Sequence, residues 1–131
     1  MTSNVNNFVI NIATANGTGS QSSNLIILHT MFEMGIPVSG KNLFPSNISG
    51  LPTWFIIRAS EAGYQAPGDK TDIQIIMNKD TWEKDITNLE AGTIVIYNED
   101  VKLSVDREDC FVFGMPMTKM ARKINPKMAK L

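Results

Sequence analysis

Residues 8–35 read FVINIATANGTGSQSSNLIILHTMFEMG, and this stretch decides the fold. Residues 8–13 form a short apolar run of the kind that makes a buried strand. Ala15-Asn16-Gly17-Thr18-Gly19-Ser20 then breaks the pattern with two glycines and small polar residues. From Gln21 the chain turns helical, and Leu25, Ile26, Ile27, Leu28, Met31 and Phe32 give it a wide apolar face. Gly35 ends that helix and Pro37 follows as a stop. The unit is strand, glycine loop, helix.

Outward from this unit, residues 36–38 suit a short second strand. Residues 39–53, SGKNLFPSNISGLPT, read as one long loop, and loops of that length are usually functional or disordered. Residues 54–59 (WFIIRA), 73–77 (IQIIM), 93–97 (TIVIY) and 110–113 (CFVF) are strands. The run 54–59 follows a loop rather than a helix, so an antiparallel course is open to it. Residues 62–69 form a turn. Asp80 or Thr81 caps a short helix through Leu89, with Trp82, Ile86 and Leu89 on one side. The charged residues 98–109 are an exposed loop or hairpin in which Val101, Leu103 and Val105 alternate. A basic helix with Lys119, Arg122, Lys123, Lys127 and Lys130 closes the chain, with Pro126 kinking or restarting it. Strands alternating with helices predict a single three-layer α/β/α, Rossmann-like domain over 1–131 with a mainly parallel sheet covered on both faces. Nothing follows the basic helix to cap it, so the domain is expected to be incomplete at its C-terminal end.

Composition removes several functions. The 131 residues carry a net charge of −1, so no global field gathers nucleic acid or an anionic membrane. Cys110 is the only cysteine, which excludes an internal disulfide and a Cys-held metal or iron–sulfur cluster. A reducing, cytoplasmic setting fits. No run approaches the roughly 18 apolar residues of a membrane helix. No nucleophile–base–acid set and no metal-ligand spacing can be assembled, which argues against a free-standing enzyme.

Two loops can carry chemistry. A glycine turn between strand and helix exposes backbone N–H groups at the positive end of a helix dipole, and phosphate is the natural ligand. Thr18, Ser20 and Ser22 add hydroxyls. A tight βα turn with an ordinary Ser cap explains the same residues equally well. The loop is neither G-x-G-x-x-G, since Ser22 replaces the third glycine, nor a Walker loop. The second loop offers Lys41, Asn42, Ser46 and Asn47, with a self-packed Ω-like loop as the alternative. Arg58 is the one charge inside an apolar strand, suited to an anion or to an edge salt bridge. His29 reads as a partly buried structural residue, Cys110 as a small core residue, and Met115, Met117 and Met120 as core fillers.

Asn16-Gly17-Thr18-Gly19-Ser20, the run from Met34 to Ile48 (MGIPVSGKNLFPSNI), and Gly50-Leu51-Pro52-Thr53-Trp54 with Ile57-Arg58 carry a family resemblance. From Val5 to Tyr64 the chain resembles the start of the alpha subunit of 2-oxoacid:ferredoxin oxidoreductases of the 2-oxoglutarate type; the remainder matches more loosely. The resemblance implies a gamma-type α/β/α domain. It implies an enzyme that decarboxylates a 2-oxoacid on thiamine diphosphate and magnesium, passes electrons through an iron–sulfur cluster to ferredoxin, and releases an acyl-CoA. Gly17, Thr18, Gly19, Ser20 and Asn24, with Asn16, would fall on a loop binding coenzyme A. Lys41, Asn42, Ser46 and Asn47 would fall on a loop lining the coenzyme A or substrate channel. Thiamine diphosphate, magnesium and the cluster are expected on other domains or on a beta subunit, the partner within a heteromer. The pyrimidine-binding domain is absent, so the chain is expected to be an N-terminal piece or a split subunit, inactive alone. Ala13 stands where many relatives carry glycine. A free-standing dinucleotide-binding domain and a non-catalytic scaffold are the alternatives.

Overall fold

The computed structural model describes residues 6–45, 48, 50–102 and 106–128. Elements follow in the order β1 (Asn7–Ala15), α1 (Ser20–Glu33), β2 (Val38–Leu43), β3 (Pro52–Ser60), β4 (Ile73–Ile76), α2 (Trp82–Thr87), β5 (Ile94–Asn98), β6 (Phe111–Met115) and α3 (Met117–Ile124), with a 3-10 turn at Pro126–Met128. The strands form one six-stranded sheet in the order β2-β3-β1-β4-β5-β6. β1 pairs in parallel with β4, β4 with β5 and β5 with β6, while β3 runs antiparallel to both β1 and β2. The parallel majority and the reversed β3 both match the sequence reading.

The strand periodicity sorts side chains onto two faces. On one, Ile12, Phe55 and Ile57 are buried, with Ile10, Ile75 and the α1 residues Leu25, Leu28 and Met31 packed against them. On the other, Ile76 and Val95 meet Leu89, Trp82 and Ile86 of the α2 region, with Tyr97, Cys110 and Val112. Helix α1 thus covers one face and α2 the other, giving three layers. Ile57, Ile76 and Val95 are completely buried. Each such side chain contributes about 1.5–3 kcal/mol of hydrophobic stabilisation.

Several expectations change. The second strand is β2, Val38–Leu43, which takes over the start of the run read as a long loop. Ile36 belongs to the helix exit instead, its N–H donating to the Met31 carbonyl. Helix α1 uses a narrow stripe, Leu25, Leu28 and Met31, while Ile26, Ile27 and Phe32 are exposed. His29 is exposed rather than partly buried, and Met120 is exposed rather than a core filler. Of the proposed 101–105 alternation, residues 103–105 lie outside the described residues, as does Lys130.

Cover on the α1 face is also incomplete. Ile10, Ile73, Ile94 and Phe111 are successive register partners, so they share the face that α1 packs on. Over β1 that face is closed, whereas Phe111 and Phe113 are 61% and 55% exposed. No described helix is long and apolar enough to cross a membrane.

Candidate functional site

The glycine loop is built by backbone angle. Strand β1 ends at Ala15, and Gly17 (φ 82°) and Gly19 (φ 79°) turn the chain into α1 in the left-handed region, where a Cβ is penalised. Gly19 is the N-cap itself, and no side chain caps the helix. The ordinary Ser cap is therefore not what this turn contains. Ser20 is the first helical residue, its hydroxyl accepting from Thr14 Oγ1 at 2.9 Å. Its own proton is left to point elsewhere. The first turn carries no acidic residue, so its dipole is not neutralised from within; among its N–H groups that of Ser22 donates to the Gly19 carbonyl at 3.2 Å.

The two loops named from the sequence are tied together. The Asn16 N–H donates to the Leu51 carbonyl at 2.8 Å, and the Asn16 carbonyl accepts from Gly50 N–H at 2.8 Å. The Asn16 side-chain amide donates to the Ile48 carbonyl at 3.2 Å. Beside this clasp lies a cavity of about 260 Å³, bordered by Asn16, Gly17, Gly19, Ser20, Asn24 and Asn42. None of its described lining residues is acidic or basic. Asn24 is 5% exposed, a buried amide on the first two turns of α1, and Asn42 shares the sheet face of its register partner Phe55. Backbone donors, hydroxyls and amides without a carboxylate suit an anion held by the helix terminus.

The remaining candidate residues are placed differently. Thr18 is exposed, and its hydroxyl donates back to the Ala15 carbonyl at 2.8 Å. Lys41 pairs with Ile56, which puts it on the sheet face opposite Asn42. Ser46 and Asn47 lie outside the described residues. Arg58 makes no salt bridge among the described residues: its Nη2 donates to Asn7 Oδ1 at 2.7 Å, and it borders a small cavity with Asn7, Ser60 and Tyr64.

Residues that the sequence reading passed over line a second cavity, between α2 and the sheet. The Trp54 indole N–H donates to Asp85 Oδ1 at 2.8 Å, joining β3 to α2. Burial pushes the Asp85 carboxyl above the usual range, opposed by the Thr81 hydroxyl, the Trp54 N–H and the Lys84 charge. The Lys84 ammonium sits 4.7 Å from the centre of the Trp54 ring. The end of α2 is held by Arg107, which donates to the Ile86 and Leu89 carbonyls at 2.7 and 2.8 Å. The same guanidinium, hydrogen-bonded to Asp109, holds that carboxyl below its ordinary value. Among the described residues no three of His, Cys, Asp and Glu gather closely enough to hold a metal ion.

Comparison with known proteins places this geometry. The chain superposes on a 2-oxoglutarate:ferredoxin oxidoreductase from Magnetococcus marinus, whose structure holds 2-oxoglutarate, coenzyme A and succinyl-CoA, with a TM-score of 0.80 and 24% identity. That match covers 91% of this chain and 21% of the other. A pyruvate oxidoreductase subunit from Thermotoga maritima matches with a TM-score of 0.67 and 17% identity, over 90% of this chain and 66% of the subunit. A keto/oxoacid ferredoxin oxidoreductase gamma subunit from Geobacter sulfurreducens matches with a TM-score of 0.71 and 12% identity, over 89% and 66%. The chain thus spans about a fifth of the first of these and about two thirds of each of the others. At these identities the likeness concerns the fold. No curated protein sequence matches the chain. The sequence pattern of the pyruvate ferredoxin/flavodoxin oxidoreductase family matches residues 9–131. With that match over nearly its whole length, the chain belongs to the pyruvate ferredoxin/flavodoxin oxidoreductase family.

Proposed function

We propose that this chain is the coenzyme A-facing, gamma-type domain of an oxidoreductase that oxidatively decarboxylates a 2-oxoacid to its acyl-CoA and passes the electrons to ferredoxin. The observation that carries the reading is the uncapped N-terminus of α1, opening on a cavity lined by Gly17, Gly19, Ser20, Asn24 and Asn42 with no carboxylate. A phosphate of coenzyme A would accept from the first-turn N–H groups and the Ser20 hydroxyl, with the amides of Asn24 and Asn42 at its sides. Thr18 and Lys41 are assigned to the nucleotide outside the cavity. The clasp through Asn16 keeps the two loops in one orientation, so binding orders little additional chain.

2-Oxoglutarate is the substrate favoured by this reading, because it is one of the molecules bound in the M. marinus enzyme. Thiamine diphosphate, magnesium and the iron–sulfur cluster are assigned to other domains or to a beta subunit. The chain's own part is to bind, orient and contact its partners. Exposed Phe111 and Phe113, two residues apart on the same face of β6, support subunit contacts, since scattered single apolar residues need no explanation but grouped ones do. A dinucleotide-binding reading is disfavoured by topology. The strand after α1 is β2, which runs parallel to β1 but is separated from it by the antiparallel β3, so the glycine loop does not open the adjacent parallel strand pair of a dinucleotide-binding βαβ unit.

The test is amide hydrogen exchange on the assembled complex with and without coenzyme A. Slower exchange across residues 17–22 is expected. Unchanged exchange there, with the acyl-CoA still formed, would leave the chain as a scaffold. Turnover of 2-oxoglutarate and pyruvate by the same complex fixes the substrate.

A further inference from the structure

A second pocket is equipped for a ligand that the glycine loop could not hold. It has a volume of about 440 Å³ and is bordered by Asn11, Trp54, Gln74, Lys84 and Asp85, with Leu89 on its apolar side. Asn11 and Gln74 are register partners on β1 and β4, so their side chains leave the same face of the sheet from backbones one strand spacing, about 4.8 Å, apart. Both interrupt otherwise apolar strands. Gln74 is 1% exposed and Asp85 7% exposed.

Three of these groups have a buried polar atom without a hydrogen-bond partner. They are the acceptor Asn11 Oδ1, the donor Gln74 Nε2 and the acceptor Asp85 Oδ2. Buried polar atoms are nearly always satisfied, because leaving one dry forfeits its hydration. Three such atoms lining one cavity offer a bound group a matched set of hydrogen bonds. The set asks for one acceptor and two donors. A primary carboxamide supplies both: its oxygen accepts from Gln74 and its NH2 donates to Asn11 and Asp85. An aminopyrimidine edge supplies the same pattern through a ring nitrogen and an amino group.

Charge narrows the class further. A carboxylate or phosphate would meet Asp85, and a cation would meet Lys84 above the Trp54 ring. The Trp54 indole and Leu89 offer apolar surface for a flat body. We propose that the pocket between α2 and the sheet binds a neutral, planar molecule bearing a primary carboxamide or an aminopyrimidine-type edge. Asn11, Gln74 and Asp85 do not border the glycine-loop cavity, although Phe44 and Trp54 border both, so the proposal rests on polar groups of its own and does not depend on the reading of that loop.

Nuclear magnetic resonance titration of the full chain with nicotinamide, adenine and nicotinic acid tests this. Nicotinamide or adenine is expected to shift the side-chain NH2 signals of Asn11 and Gln74 and the Trp54 indole signal. Which of the two binds tells a carboxamide source from a nucleobase source. Nicotinic acid, which lacks the donor and carries a negative charge, is expected to bind at least about tenfold more weakly. Gln74→Leu is expected to weaken the better probe about tenfold, with Asn11→Ala as a second variant at a half-buried position should the first not fold. The proposal is overturned if neither neutral probe moves these signals at millimolar concentration, if nicotinic acid binds as well, or if binding survives loss of the amide.

Discussion

The two halves of the sheet are covered differently. The antiparallel half, β2-β3-β1, is closed on one side by α1, and Ile12, Phe55 and Ile57 are sealed beneath it. The parallel half, β4-β5-β6, is closed by α2 on the other side only and leaves Phe111 and Phe113 open on the α1 face. The parallel strands are the more apolar set, so a shortage of apolar residues does not cause the difference. What differs is helix supply. The crossover from β4 to β5 places α2 on one face, while no described helix covers the other face of β5 and β6. The half with the sealed core positions the glycine loop. The half with the open face has surface to give to a neighbour.

Substitutions can break this comparison. The largest effect is expected for Ile57→Ala, which removes a completely buried side chain from the α1 core; about 2–5 kcal/mol of stability should be lost in urea unfolding. Gly40→Ala comes next. A Cβ there would lie 2.8 Å from Phe55 Cζ and 2.9 Å from Leu28 Cδ2, because α1 sits down on β2 at that glycine. The overpacking should cost about 1–3 kcal/mol by the same measurement.

Asp85→Asn should change pH dependence more than stability itself. Burial raises the Asp85 carboxyl above its ordinary value, so its contribution is fully present below that ordinary value and lost as pH rises through the folded one. The asparagine variant should flatten that decline in unfolding experiments from mildly acidic to neutral pH, while keeping an acceptor for Trp54. Asp109 acts in the opposite sense, since Arg107 lowers its carboxyl and its contribution is lost on acidification. The smallest effect on the isolated chain is expected for Phe111→Ser with Phe113→Ser, within about 0.5 kcal/mol per site because both are exposed. The same double variant should weaken association with partner subunits in analytical ultracentrifugation. Intact assembly would show that the open face is not a contact surface.

The sequence disclosed the glycine loop, the α1 start and the reversed β3, because each is written in local residues. Strand β2 does not announce itself, because Ser39, Gly40, Lys41 and Asn42 have the composition of a loop. Its extended shape is imposed by pairing with β3 and by the close seat of Leu28 over Gly40, both contacts between distant residues. Helix α1 misled in the opposite way. Ile26, Ile27 and Phe32 look like core residues, yet a helix lying on a sheet buries only one stripe. Arg107 as the clamp on the end of α2 had no local signal at all. The pocket under α2 did have one: Asn11 and Gln74 are amides in the middle of apolar strands, and such residues need a partner wherever they are buried.

Among the described residues, β2 is the last strand on its side of the sheet, pairing only with β3. An outermost strand presents a row of unpaired backbone groups, an invitation to stack against another copy. Lys41 stands in the middle of that row, exposed, next to Gly40. A charged, short, glycine-containing border is poor at recruiting a further strand, so the polar character that made this segment look like a loop also keeps the molecule from aggregating along that border.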